Sequence, residues 1–221
     1  MRTKKRTGIL GGTFDPIHYG HVDLGLHVLH QFNLSSIRYI LSAKPPHKRG
    51  YQIAPVDIRW KMLVAGLQSN PRLIPDDIET KRDEYSWTIN TVKQLIKDSP
   101  DDKLFFLSGS EGFLKVRTWK EYRKLFELIN FIIVMRNSDQ EKEVSQLLKE
   151  EGITPVSQGK PEVDSTAVYY YSYRSNYLDL SSTLIRNLIG RGKSVSKMVN
   201  KKVKEIIKEN DLYGKNQPGQ I

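Results

Sequence analysis

Short apolar runs alternate with helical patterns along the whole chain. Thr7 to Leu10 predicts a strand, His21 to Phe32 a helix with Val22, Leu26 and Leu29 on one face, and Ile37 to Leu41 a second strand. Together they make a βαβ unit. Ile58 to Leu67 reads as a helix. Thr88 to Ile96 reads as another, with Ile89, Val92 and Ile96 spaced for burial and Ser86 placed to cap it. Leu104 to Leu107 is continuously apolar, the pattern of a strand covered on both faces of a parallel sheet. The strand Phe131 to Met135 lies between two helices whose starts carry capping boxes, Thr118 to Glu121 and Ser138 to Glu141. The least regular stretch, Gln158 to Asp179, includes the aromatic run Tyr169 to Tyr173, which fits an edge strand or an ordered loop. Ser182 to Ile189 and Ser196 to Ile207 read as closing helices, the second with Val199, Val203 and Ile206 inward and lysines outward.

This alternation predicts an α/β fold, a Rossmann-like open parallel sheet with helices on both faces and ligands beyond the carboxyl ends of the strands. No repeat or low-complexity linker marks a second domain. Residues 1–221 are therefore expected to form a single domain with a basic N-terminal tail at residues 1–6 and a C-terminal helical segment over 182–213.

Composition narrows the function. With 221 residues, 38% hydrophobic and 27% charged, the chain can bury a full core, which argues against disorder. The absence of cysteine excludes a disulfide framework, a zinc finger and a thiol nucleophile, and fits a reducing compartment. The longest apolar runs fall far short of the roughly 18 residues of a membrane helix. The apolar stretch after Met1 to Arg6 is also too short for a secretion signal. A cytoplasmic protein without a membrane partner is expected.

The formal charge of +10 invites an anionic partner, but nine of the ten charges lie in residues 2–6 and 191–209. The body is nearly neutral, and charge alone does not choose among nucleic acid, an anionic surface and phosphorylated small molecules.

The densest chemical signal is Gly11-Gly-Thr-Phe-Asp-Pro-Ile-His-Tyr-Gly-His21, set between the first strand and the first helix. Two glycines let the backbone approach a bulky anion, and Pro16 stiffens the turn. His18 and His21 stand three apart, with Gly20 between them, so at a helix start they project from one face. Helix amides and two imidazole donors then converge on a place suited to phosphate. A metal site or two incidental histidines would also give such a pair. However, a zinc site wants a third ligand, and no His or carboxylate cluster is evident.

Ser182, Thr183 and Arg186 begin a helix, so hydroxyls, free amides and a guanidinium can meet a triphosphate together. The same residues read equally as a capped helix with an exposed arginine. His47 and Lys48 could hold the phosphate of a second nucleotide or form a solvated turn after Pro46. Arg136 ends a buried strand, where sheet ligands bind, and also reads as a surface arginine. Trp87 and Trp119, at helix starts, fit either a core or a ligand platform.

The segment from Gly11 to His21 resembles the T/H-x-G-H signature of the nucleotidyltransferase superfamily. In its long form it is similar to the bacterial nicotinate-nucleotide adenylyltransferase family. Pro45-Pro-His-Lys48 resembles that family's phosphate loop, and Glu79 to Thr88 followed by Thr91 its acidic, basic and S-Y-T pattern. Gly109 through Trp119 resembles its G-x-D with a downstream tryptophan, and Ser181-Ser-Thr-Leu-Ile-Arg186 its S-S-T-x-I-R motif. The likeness runs from Thr7 to Tyr213. It departs at Glu111, where the family usually has Asp, and at Ser42-Ala-Lys44, where Asn is frequent. Lys44 could supply a phosphate contact instead or point to water.

The resemblance implies ATP contacts from Gly11, Gly12, Thr13, Phe14, His18, Gly20, His21, Gly109, Glu111, Ser182, Thr183 and Arg186, with His18, His21 and Arg186 catalytic. It implies acceptor contacts from Thr13, Lys44, His47, Lys48, Trp87, Thr88, Trp119 and Arg136. The Trp119 indole would stack on the pyridine ring, and amides near Thr88 and Trp119 would receive the nicotinate carboxylate. The implied reaction is attack by the phosphate of nicotinate mononucleotide on the α-phosphorus of ATP, giving nicotinate adenine dinucleotide and pyrophosphate in NAD biosynthesis. Mg²⁺ would arrive on the ATP phosphates, with no metal ligands expected from the protein.

Competing readings are a related adenylyl- or cytidylyltransferase acting on nicotinamide mononucleotide, phosphopantetheine or a polyol phosphate, and a nucleic-acid-binding protein. The last gives no reason for Gly11 to His21. A class I aminoacyl-tRNA synthetase fragment shares an H-x-G-H-like element, but the chain is short and shows no anticodon-binding module. Assembly into a homo-oligomer is compatible with the sequence, and residues 158–179 could line the active site or such an interface.

Overall fold

The structure, a computed structural model, describes residues 5–46, 52–135, 138–156 and 166–214. In chain order the elements are β1 (Arg6–Gly12), α1 (Tyr19–Gln31), β2 (Ser36–Leu41), α2 (Val56–Leu67), β3 (Leu73–Asp76), α3 (Thr88–Asp98), β4 (Lys103–Gly109), α4 (Ser110–Phe113), α5 (Tyr122–Leu128), β5 (Asn130–Met135), α6 (Ser138–Glu150), β6 (Val168–Ser172), α7 (Ser182–Gly190) and α8 (Lys201–Glu209). The strands form one open parallel sheet in the order β3-β2-β1-β4-β5-β6, the Rossmann-like arrangement expected. The order reverses between β1 and β4, which makes the carboxyl end of β1 a topological switch point, where ligands of such sheets bind. Arg6 pairs with Lys103, Phe105 with Asn130, and Phe131 with Val168. Every residue of β5 is buried, as the unbroken apolar run requires.

The chain divides into two compact units. The first takes its described residues from Met1–Leu10, His27–Arg38 and Trp87–Arg174, the second from Gly11–Leu26, Tyr39–Ser86 and Ser175–Ile221. In the first, Phe105, Phe113 and Phe131 are fully buried. The buried Asn130 fixes the entry to β5 from both sides. Its amide donates to the Leu104 carbonyl at 3.0 Å and its oxygen accepts from the Ala167 N–H at 3.1 Å. In the second, α2 packs against α8. Gly25 has no room for a side chain, because a Cβ there would lie 2.0 Å from the Tyr39 hydroxyl.

Several boundaries differ from expectation. The aromatic run Tyr169 to Tyr173 resolves into β6, an edge strand parallel to β5. β3 had no periodic signal because only four residues pair. Ser86 does not cap α3. Its Oγ accepts from the Lys44 N–H at 3.1 Å, and Trp87 occupies the cap position with no side-chain bond. Thr118 to Glu121 is not a capping box, since the Thr118 hydroxyl donates to the Lys115 carbonyl and Glu121, at φ 52°, is left-handed and pairs with Lys93. α5 therefore starts at Tyr122. The last helix begins at Lys201 rather than Ser196, because Asn200 is the cap, accepting from the Lys202 N–H. Its deepest residues are Val203 and Ile207, with Ile206 only partly covered. Arg6 belongs to β1 and not to a tail, with its guanidinium over the Phe105 ring. Residues 1–4, the side chain of Ser138 and residues 158–165 lie outside what the structure describes. Among the described residues no helix is long and apolar enough to cross a membrane.

Candidate active site

β1 delivers the glycine-rich loop. A Cβ at Gly12 would meet the Phe14 ring at 2.9 Å, so the turn requires glycine there. Phe14 is buried and left-handed at φ 47°, a conformation that costs a bulky L-residue roughly 1–2 kcal/mol. Packing holds it, because the ring lies edge-on to His21 and against Tyr39, with centroids 5.1 and 5.8 Å away. Phe14 thus shapes the loop with its ring buried. The Asp15–Pro16 peptide is cis.

His18 stands just before α1 and His21 in its first turn. Their rings stack at 3.7 Å with an interplanar angle of 26°, so the two imidazoles lie side by side. The His18 N–H donates to His21 Nδ1 at 3.3 Å. A neutral His21 that accepts at Nδ1 carries its proton on Nε2, which makes Nε2–H a donor for an anion. The amides of the helix start are less available than expected. The Tyr19 N–H goes to the Met198 carbonyl, and those of His21 and Val22 go to the His18 carbonyl. Gly20 lets His18 and the 177 backbone come close, since a Cβ would lie 3.1 Å from His18 Nδ1 and 3.2 Å from the Tyr177 carbonyl.

α7 brings the second motif onto this loop. Ser181 is the cap, accepting from the Leu184 N–H at 3.1 Å, which leaves Ser182 able to donate elsewhere. Its hydroxyl donates to the Pro16 carbonyl at 2.9 Å. Arg186 donates through Nη1 to the Asp15 carbonyl at 2.9 Å and through Nη2 to Thr183 Oγ1 at 3.2 Å. α7 is a capped helix as read, but its arginine is not exposed: Arg186 is half-buried against residues 15 and 183.

Beneath the loop lies a buried network that sequence reasoning missed. Asp15 is 1% exposed, and its Oδ1 accepts from the Tyr213 hydroxyl at 2.6 Å. Arg59, also 1% exposed, donates to four carbonyls: Ala54, Thr13, Ser42 and Ala43, at 2.7–3.1 Å. Burial, and then the neighbouring Asp15 carboxylate, push the Tyr213 phenol far above its ordinary value, so it stays a donor. Burial lowers the Arg59 value, an effect partly offset by Asp15. An arginine beside Ile58, Met62 and Leu63 on an apolar helix was the signal available for Arg59. Tyr213 had none.

The Lys44 ammonium is half exposed and paired with Asp83. It donates to the Asp83 carbonyl at 2.8 Å and to the Asp83 carboxylate, which is pulled below the usual range by that bond. Trp87 precedes α3 with the Lys120 ammonium 5.8 Å from its ring centroid, and Thr88 opens that helix. Trp119 packs edge-on to Phe106 at 5.7 Å, and its own amide is committed to the Val116 carbonyl. Gly109 precedes α4 in open space, and Glu111 is exposed on its first turn. His47, Lys48 and Arg136 lie outside the described residues. Among the described residues no three His, Asp or Glu side chains gather closely enough to hold a metal ion.

The chain is similar to known proteins over most of its length. The family model described as cytidylyltransferase-like matches residues 9–188. A protein of Clostridium botulinum, named a probable nicotinate-nucleotide adenylyltransferase, is 33% identical over 93% of this chain and 97% of its own. A protein of the same name from Desulfatibacillum aliphaticivorans is 33% identical over 94% and 99%. Among solved structures, the Plasmodium falciparum nicotinic acid mononucleotide adenylyltransferase complexed with NaAD superposes with a TM-score of 0.72 at 18% identity. That match covers 95% of this chain and 97% of the other.

Proposed function

Because the chain belongs to the cytidylyltransferase-like family, among the nicotinate-nucleotide adenylyltransferases, we infer that it transfers the adenylyl group of ATP to nicotinate mononucleotide. The products are nicotinate adenine dinucleotide and pyrophosphate, a step of NAD biosynthesis. The observation that carries the reading is the bond from Arg186 to the Asp15 carbonyl, which joins the two phosphate-directed motifs in one site.

A phosphate oxygen of nicotinate mononucleotide attacks the α-phosphorus of ATP, and the bond to the bridging oxygen of pyrophosphate breaks. The nucleophile is already ionised at neutral pH, so the reaction needs no general base. What it needs is alignment of two anions and stabilisation of charge on the α-phosphate and the leaving group. His21 Nε2–H, His18 and the Arg186 guanidinium are the donors assigned to that task, with Ser182 and Thr183 at the triphosphate. Trp87, Thr88 and Trp119 are assigned to the pyridine ring and its carboxylate, and Gly109 and Glu111 to the ATP side. His47, Lys48 and Arg136 stay assigned to the acceptor on sequence alone. Lys44 contributes by ordering the residue 42–46 segment through Asp83.

Magnesium fits a site of this kind: the one carboxylate of the two motifs, Asp15, is buried and bonded to Tyr213, so the ion would be held by triphosphate oxygens and water. When bound, it neutralises charge on the leaving pyrophosphate. The cytoplasm is the compartment in which this reading places the protein.

A coupled pyrophosphate-release assay tests the proposal, with ATP and CTP as donors and nicotinate mononucleotide, nicotinamide mononucleotide and phosphopantetheine as acceptors. Highest kcat/KM with ATP and nicotinate mononucleotide is expected. No turnover with that pair, or preference for another acceptor, would sink it.

A further inference from the structure

We propose that Tyr213 and Arg59 are positioning residues of the transfer, holding the residue 11–16 loop in its working shape through Asp15 and the loop carbonyls. The proposal rests on the assigned adenylyl transfer and adds residues that neither phosphate motif contains.

The geometry separates these side chains from ordinary core. Arg59 spends its hydrogen bonds on the backbone of three segments. One is the glycine-rich loop at Thr13, one the segment after β2 at Ser42 and Ala43, and one the lead into α2 at Ala54. All four carbonyls lie outside the strands, and a fork of fixed shape reaches all of them. Because a peptide is planar and trans, turning the Thr13 carbonyl toward Arg59 turns the Phe14 N–H the opposite way. Arg59 thereby sets the direction of a loop amide. The next peptide but one is fixed from its other side, with the Asp15 carbonyl held by Arg186 and the Asp15 carboxylate by Tyr213. Asp15 Oδ2 has no hydrogen-bond partner among the described residues. The carboxylate therefore depends on Tyr213, the weak 3.4 Å approach of the Ala54 N–H, and the nearby Arg59 charge. A buried charge of this kind is a poor source of stability compared with an apolar residue of similar size, which points to a geometric role.

The test compares wild type, Tyr213→Phe, Asp15→Asn, their double variant and Arg59→Lys. It measures kcat, KM for nicotinate mononucleotide, affinity for α,β-methylene-ATP by calorimetry, and the thermal midpoint. For Tyr213→Phe, a fall in kcat of about tenfold, with that KM moving less than about twofold, is expected from a misplaced loop. Arg59→Lys should show the same split, and analogue affinity should drop in both. The double variant should lose no more than Asp15→Asn alone, the signature of two residues acting through one. Losses that multiply, or a lowered midpoint with kcat and analogue affinity unchanged, would overturn the proposal. Should wild type fail to turn over nicotinate mononucleotide, the assigned reaction falls instead, and analogue affinity across the same variants still judges the loop.

Discussion

Arg186 holds the backbone carbonyl of Asp15 at 2.9 Å, a bond between residues 171 positions apart in sequence. The start of α7 is thus joined directly to the residue 11–16 loop. A lysine keeps the charge but cannot reach Asp15 and Thr183 with a planar fork. Arg186→Lys should lower kcat/KM for ATP by about 10- to 100-fold, consistent with the loss of one aligned donor pair. Steady-state kinetics with ATP varied would show this. A variant within twofold of wild type would remove Arg186 from the reaction.

His21 offers a sharper chemical test. Since its Nδ1 accepts from the His18 amide, only Nε2 is left to donate. His21→Ala should reduce kcat by on the order of 10²-fold, the effect of deleting one transition-state donor, while unfolding in urea changes little. His21→Gln, whose terminal amide can replace Nε2–H, should retain more activity than His21→Ala. Equal activity in the two variants would count against a donor role.

The packing of Gly25 against Tyr39 yields a stability prediction independent of function. Gly25→Ala places a methyl 2.0 Å from the Tyr39 hydroxyl and should cost about 1–3 kcal/mol by overpacking. Tyr39→Phe alone removes its bond to the His21 carbonyl, a loss of about 1 kcal/mol. Introduced together with Gly25→Ala, it should recover part of the first loss by removing the clashing oxygen. Strictly additive losses in equilibrium denaturation would contradict this packing.

Glu151 provides a pH test. Its carboxylate accepts from Arg117 Nε at 2.7 Å and from Arg123 Nε at 3.3 Å, with the Tyr122 hydroxyl adding a weaker bond. The Arg117 bond, followed by the Arg123 bond, holds it below the ordinary glutamate range. A depressed folded-state pKa contributes stability that is fully present above the unfolded value of about 4.3 and is lost as pH falls through the folded one. Glu151→Gln should therefore be less stable than wild type near neutrality, and the gap should close as pH drops below about 4. Urea melts across that range would show it. A constant gap would mean the charge is not responsible.

What could be read from the chain and what could not have distinct physical causes. The strands β4 and β5 and the helices α1 and α7 were legible because burial imposes a period or an unbroken apolar run on them. Thr118 and Ser86 misled because a hydroxyl at the right spacing caps a helix only if no nearer partner claims it. Here Lys115 and Lys44 do. His18, His21 and Arg186 were visible as motif residues, whereas the bond from Arg186 to the Asp15 carbonyl involves backbone, which leaves no mark in composition. Arg59 and Tyr213 were hidden for a related reason. Their partners are carbonyls and a carboxylate remote in sequence, and pairing at such distances has no local period.

The bond between Asp15 and Tyr213 also has a timetable. The two residues are 198 positions apart, so a ribosome adding about 5–20 residues per second makes Asp15 some 10–40 seconds before its partner exists. Through that interval the Asp15 carboxylate lacks the Tyr213 hydroxyl, with Arg59 and the Ala54 N–H as its remaining partners. Competence to bind ATP should emerge late in synthesis, well after the β1–β4 core has formed.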